Sequence, residues 1–340
     1  MRFRILAAAL ACACALAGAG RAAAQGDKSK QADVKVSSGE RDAAAKIDKA
    51  QGPEAKLQAA AEFVKKYPKS ALRPQVAQAV AREIASAQDN ELKISLAETY
   101  LSFFTDPSEA ALVNDTLLNA YINSKSGHAD EAFKMGAARL AKNPEDIDLL
   151  RALAIVASNE AIQGRNTYAA QGQQYGAKAI ELLEADKRPA GIDDAKWASY
   201  KAESLQTLYR ATGVTAYKTG DAATAVARLE KAAALKSTDP GVYLLLSELT
   251  YSQYEQLAKQ YQVMPTGPAK DAALKQVEAQ IDKTIEAYAQ AIAITEGNPQ
   301  YQQAHDAMKQ DIENLYKYRH GGSTQGLQQV IDKYKRPATQ

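Results

Sequence analysis

Tyr209-Arg210-Ala211-Thr212-Gly213-Val214-Thr215-Ala216-Tyr217-Lys218-Thr219-Gly220-Asp221, continued by Ala225, Leu229 and Ala232, decides the fold of this chain. The small residues Gly213, Ala225 and Ala232 stand twelve and then seven positions apart, with a Gly-Asp turn between two stretches of helical period. Antiparallel helices approach to about 8–10 Å, and the closest crossings need a residue no larger than Ala. A helix–turn–helix unit of this size cannot bury its apolar face alone, so its recurrence means a stack of such units. It does recur. Gly127, Ala132 and Pro144 repeat the turn and the small position, and Thr284-Ile285-Glu286-Ala287-Tyr288-Ala289-Gln290-Ala291 repeats the second helix.

Outward from these copies, almost the whole chain carries helical period and almost none alternates with the period of a strand. Pro68, Pro107, Pro144, Pro189, Pro240 and Pro299 each follow an apolar helical segment, at spacings that rise from 39 and 37 residues to 59. Proline suits the first turn of a new helix and discourages the residue before it from prolonging the old one. The pattern predicts helices over 40–50, 53–66, 71–87, 90–104, 108–123, 129–142, 146–162, 168–185, 194–218, 222–236, 240–262, 269–296, 300–318 and 324–335. That is about seven hairpins. Gly127, Gly220 and Gly321-Gly322 supply turns or stops. The stretch from Tyr251 to Lys283 is too long for an ordinary turn, and Met264-Pro265-Thr266-Gly267-Pro268 breaks it into two overlong helices with a projecting tip.

The spacing of Gly213, Ala225 and Ala232 resembles that of the tetratricopeptide repeat (TPR). Glu62-Phe63-Val64-Lys65-Lys66-Tyr67-Pro68-Lys69-Ser70 is similar to hairpin junctions of bacterial cell-envelope TPR proteins. The resemblance implies an all-α, right-handed α-solenoid across residues 39–340, in degenerate form: after Ala232 and Ala291 the proline arrives eight residues later, not five. It also implies that the first helix of each unit lines a concave, peptide-binding groove. Carried over by position, that groove would present Asp148, Arg151, Ile155, Ser158 and Asn159 from one helix, and Arg210, Val214, Tyr217 and Lys218 from a later one. The family's clamp for a peptide carboxylate needs a set of Lys and Asn residues of which this chain has Arg151 and Arg210 instead.

The N-terminus reads as an address. Met1-Arg2-Phe3-Arg4 is basic, Ile5 to Ala19 is apolar, and Ala22-Ala23-Ala24 offers a small-residue cleavage site, so residues 1–24 are expected to be a signal peptide. Lipidation at Cys12 is the alternative, but Ala9-Leu10-Ala11 departs from a leucine-led box and the apolar run continues past it. Residues 25–38 are polar and aperiodic, a flexible leader. Both cysteines, Cys12 and Cys14, lie in the signal, so a mature chain starting at Gln25 would have none and could not rest on disulfides. Losing Arg2, Arg4 and Arg21 turns 42 basic against 40 acidic residues into 39 against 40. With no basic block, nucleic acid and anionic membranes are poor partners.

Catalytic signatures are missing from the sequence. His128, His305 and His320 have no ligand spacing between them and read as solvent-exposed or helix-terminal residues; neither a Gly-x-Ser-x-Gly elbow nor a phosphate loop is present. Of 17 tyrosines, 14 fall from Tyr168 onward. Tyr209, Tyr243 and Tyr288 match core positions and Trp197 reads as packed, not ligand-binding, whereas Tyr217 and Tyr251 are candidates for the groove. Gly172 and Gly176 read as a tight soluble crossing beside Gln171, Gln173 and Gln174. The expectation is an exported, non-enzymatic scaffold without cofactor, periplasmic or extracellular, that binds a protein or peptide in the bacterial envelope. The rivals are a carrier or enzyme with a cleft between helices, and a structural subunit held by its ends.

Overall fold

The computed structural model describes residues 36–125 and 127–335, and among them every regular element is helical. The expected signal peptide, Cys12, most of the leader and the last five residues lie outside the described residues. Fourteen α-helices follow in chain order: α1 Ser38–Lys49, α2 Pro53–Lys66, α3 Arg73–Ser86, α4 Asn90–Phe103, α5 Pro107–Ile122, α6 Ala129–Leu140 and α7 Ile147–Ile162. The second half comprises α8 Ala169–Glu184, α9 Asp194–Lys218, α10 Ala222–Ala234, α11 Pro240–Val263, α12 Pro268–Thr295, α13 Gln302–Arg319 and α14 Leu327–Asp332. A 3-10 turn, Pro299–Tyr301, precedes α13.

The helix starts have a common local cause. Asp89, Asp106, Asp146, Asp193, Asp221 and Asp239 each accept a bond from a backbone N–H of the first turn they cap. Such a cap satisfies one of the donors a helix leaves unpaired at its start. Ser37 and Glu40 form a reciprocal capping box, which starts α1 one residue inside the stretch read as leader. At the other end α14 is shorter than its sequence pattern. Gly326, at φ 94°, is left-handed and delays the helix to Leu327.

Each helix packs chiefly on neighbours one or two places along the chain, the pattern of an α-solenoid. α3, α5, α7 and α9 touch in succession and form one layer; the helices between them fill the hairpins. The small positions lie at the crossings. Ala132, Ala225 and Ala232 have no exposed surface. A Cβ added to Gly172 would overlap the Ala157 methyl, and one added to Gly176 would overlap the Thr212 methyl. Tyr209, Tyr243 and Tyr288 are buried, as their core positions require. Trp197 is part-buried against the core, its Nε1 donating to Asp186 at 3.0 Å.

Two histidines sit where expected, His128 at the N-cap of α6 and His320 at the C-cap of α13. His305 does not. It is 5% exposed, with Nδ1 3.1 Å from the Thr295 hydroxyl, because α12 and α13 close over it and the threonine gives the ring a polar partner. The overlong hairpin also forms: buried residues end at Thr250 on α11 and resume at Val277 on α12. Thirteen further residues of α11 carry it about 20 Å outward. At its end Val263 is 84% exposed, and Lys270 Nζ donates to the Met264 carbonyl at 2.9 Å while lying 5.0 Å from the Tyr261 ring centre.

Candidate binding face

α7 is apolar around most of its circumference, which buries Leu149, Leu150, Leu153, Ala154 and Ala157. One row remains open: Asp148, Arg151, Ile155, Asn159 and Ile162 follow at three- and four-residue steps and are half-buried or exposed. Ser158 was expected in this set and does not belong to it. It is 1% exposed and shares a buried row with Ala154 and Ala161, one helical step round from Asn159, so it offers a partner no surface. Its hydroxyl has no hydrogen-bond partner.

The N-terminal end of the row is tied to α9. Arg151 donates through Nη2 to Asp148 at 2.9 Å and through Nη1 to the buried Ser204 hydroxyl at 2.8 Å. Its guanidinium lies 5.4 Å from the Tyr200 ring centre, and the Tyr200 hydroxyl returns to Asp148 at 2.7 Å. Burial, reinforced by this bond to a carboxylate, pushes the Tyr200 hydroxyl up to about 12. The hydroxyl therefore stays a donor at any ordinary pH.

The second set is tied to α11 in the same manner. Arg210 pairs with Asp239, the cap of α11, and the Tyr217 hydroxyl donates to Glu248 at 2.8 Å. That bond raises the Tyr217 pKa. Lys218 is exposed, its Nζ 5.4 Å from the Tyr217 ring centre, and Val214 is half-buried between the two tied residues. Arg151 thus ties α7 to α9, and Arg210 and Tyr217 tie α9 to α11, a role that single-helix reasoning does not reveal.

The C-terminal end of the α7 row opens differently. Asn159 and Ile162 line a cleft of about 330 Å³ with Tyr121, Ile122 and His128. Ile162 is 47% exposed, and Glu160 and Arg165 form a two-bond pair at 2.6 Å beside it. The cleft mixes apolar Ile122, Val156 and Ile162 with polar Asn159, Gln163 and the Glu160–Arg165 pair, a composition open to a polypeptide contact. Nothing in the sequence marked Ile162 apart from other helix-end isoleucines; only its place in the α7 row could have found it. No group of His, Cys, Asp or Glu among the described residues has metal-holding geometry, and no described helix is long and apolar enough to cross a membrane.

No family model matches the chain, and no curated protein matches it. Among solved structures it is similar to an IFIT1 monomeric mutant with m7Gppp-AAAA, at 15% identity and a TM-score of 0.31, over 84% of this chain and 56% of that one. A second, with Gppp-AAAA, matches at 14% identity and a TM-score of 0.31, over 84% of this chain and 56% of that one. The chain thus spans little more than half the length of the structures it matches. Among the described residues, the architecture is a helical-repeat solenoid.

Proposed function

We propose that the protein is an exported, TPR-like scaffold of the bacterial envelope that binds a protein or peptide partner without catalysing a reaction. The contact surface is the open row of α7 continued across Val214 and Lys218 of α9. The observation that carries this reading is the row itself: Ile155, Asn159 and Ile162 lead into a cleft of mixed apolar and polar lining, while the charged residues around them are held by intramolecular bonds. A surface whose polar groups are already oriented loses little entropy on binding. Mixed charge along the face, Asp148 and Glu248 against Arg151 and Arg210, favours a polypeptide over a phosphate backbone.

The braces set the design of the test. Truncating Arg151, Arg210 or Tyr217 would loosen the helix layer along with any contact, so loss of binding there would be ambiguous. Ile155, Asn159, Ile162 and Lys218 make no such ties. A photo-crosslinker at Val214, placed in the native host envelope, should capture a defined partner. Ile155→Ala, Asn159→Ala, Ile162→Ala and Lys218→Ala together should abolish that adduct while the melting temperature stays unchanged. An adduct of equal yield in the fourfold variant would move the site elsewhere.

A further inference from the structure

α11 and α13 both pack on α12, and the seam between them is lined with tyrosine. Low on the seam the Ser247 hydroxyl of α11 lies 3.6 Å from Met308 Sδ of α13. One turn up, Tyr251 stacks at 6.0 Å on the buried Tyr288 ring of α12, and the Asp311 carboxylate stands 3.5 Å from the Tyr288 hydroxyl. On the next turn Tyr254 lies 5.7 Å from Tyr251, with Glu255 beside it and Tyr318 of α13 within electrostatic reach. Tyr251 and Tyr254 are half-buried, and Tyr318 is 61% exposed.

Two observations mark the seam as suited to a cation. The first is that its carboxylates lack a counter-charge. Burial, then Asp311 and Glu255, raise the Tyr251 hydroxyl, and burial, Tyr318 and Glu255 raise that of Tyr254; no Lys or Arg acts the other way on either, or on Tyr288. The cations flanking Tyr318 are engaged elsewhere, Lys317 with Glu313 and Arg319 with Asp282 and Glu278. Lys259, one turn beyond Glu255, and Lys309, two residues before Asp311, are exposed and form no ion pair with either carboxylate. The second is that the rings are bare. The chain lays its own Arg or Lys near the ring centres of Tyr200, Tyr217, Tyr209 and Tyr261, at 5.4, 5.4, 5.7 and 5.0 Å. Among the described residues no cation lies over Tyr251, Tyr254 or Tyr318, and their hydroxyls make no hydrogen bond.

We propose that this seam binds arginine side chains of a polypeptide segment. The proposal rests on the reading of the protein as a polypeptide binder, but on none of the residues of the α7–α9 face. A tyrosine ring attracts a cation within about 6 Å, and a planar guanidinium both stacks on such a ring and donates in pairs to a carboxylate. Asp311 and Glu255 are the carboxylates, and the free phenol oxygens accept remaining N–H groups. Asp311 lies at the level of Tyr251 and Glu255 one turn farther, about 5.4 Å along the axis. Alternate side chains of an extended strand are about 6.6 Å apart, so one segment with Arg at every second position meets both. An open seam gives a lone small cation few contacts, whereas a chain lying along it gains two pairs.

The test uses labelled peptides carrying Arg-Gly-Arg, Lys-Gly-Lys or Glu-Gly-Glu in one Gly-Ser frame, titrated by fluorescence polarisation against the full chain. The Arg peptide should bind at least fivefold more tightly than the Lys peptide, and the Glu peptide should not bind. Glu255→Gln and Tyr318→Ala, both at exposed positions, should each weaken the Arg peptide threefold or more with the melting temperature unchanged. Glu230→Gln, an exposed carboxylate on α10, should leave it as tight. An Arg peptide that binds no more tightly than either of the others overturns the proposal, as does unchanged affinity in both seam variants or an equal loss in Glu230→Gln. Free arginine or tetramethylammonium binding as tightly as the peptide would assign the seam to a small cation and overturn it too. A Val214 adduct that persists without Arg-peptide binding overturns this proposal alone; peptide binding without the adduct moves only the α7–α9 contact.

Discussion

A single hydrogen at Gly172 decides how closely α7 and α8 can lie. The methyl of alanine would fall on the Ala157 Cβ, which is fixed to the α7 backbone and cannot rotate aside. Alanine gains about 1 kcal/mol over glycine in helix propensity. Overpacking of a tight contact costs about 1–3 kcal/mol, toward the upper end where a backbone-attached atom blocks relaxation. The clash wins. Gly172→Ala is expected to lower unfolding free energy by about 1–2 kcal/mol in denaturant titration, the net of these terms. Ala225→Leu, at a position with no exposed surface, should cost about 1–3 kcal/mol, whereas Lys218→Leu on the open face should leave the midpoint in place. Equal midpoints for wild type and Ala225→Leu would remove the assignment of that crossing to a repeat.

At the scale of the helix, stability depends on carboxylates at the starts. Asp221 is held below its ordinary value of 3.8 by the side-chain and backbone bonds from Thr224. Asp106 is held below 3.8 by the equivalent bonds from Ser108. Because the folded pKa is depressed, the unfolded chain takes up protons first as pH falls. The contribution of these caps is complete above the ordinary value and is lost as pH drops through the folded one. Melting temperature should therefore be flat from pH 6 to 5 and fall from about pH 4 downward. Asp221→Asn keeps an acceptor at the cap but cannot titrate, so its melting temperature should start slightly lower and fall less over the acid range. An identical acid slope in the variant would show that this cap does not contribute to it.

For the whole molecule, the solenoid separates body from projection. α11 and α12 pair with each other along their full length, yet their buried residues end at Thr250 and begin at Val277. Beyond that level Leu257, Tyr261 and Met264 are only half-buried, Leu257 and Tyr261 at the edge of the core, with Lys270 over the Tyr261 ring and bonded to the Met264 carbonyl. In a quasi-one-dimensional array, stability sums over each unit and its interfaces, so the tip adds to none but its own. Replacing residues 262–269 by a short Gly-Ser turn should leave the melting temperature of the body unchanged by calorimetry. A fall of several degrees would mean that the tip is docked against the body.

Helix content, helix limits and the order of hairpins were legible in the sequence alone, because each depends on short-range causes. Period 3.6 in the apolar residues, Pro in a first turn, Asp before it and Gly in the turn all act within a few positions. That is why α9, from Asp194 to Lys218, lies where its pattern put it. The small residues at Ala132, Gly172, Ala225 and Ala232 likewise declared the crossings, since only close approach requires them. Tertiary structure alone decided what the polar residues do. Arg151 meets Ser204 across 53 positions and Tyr217 meets Glu248 across 31, so no local pattern could show that the expected groove residues are braces. The burial of Ser158 and His305 followed from which neighbours closed over them.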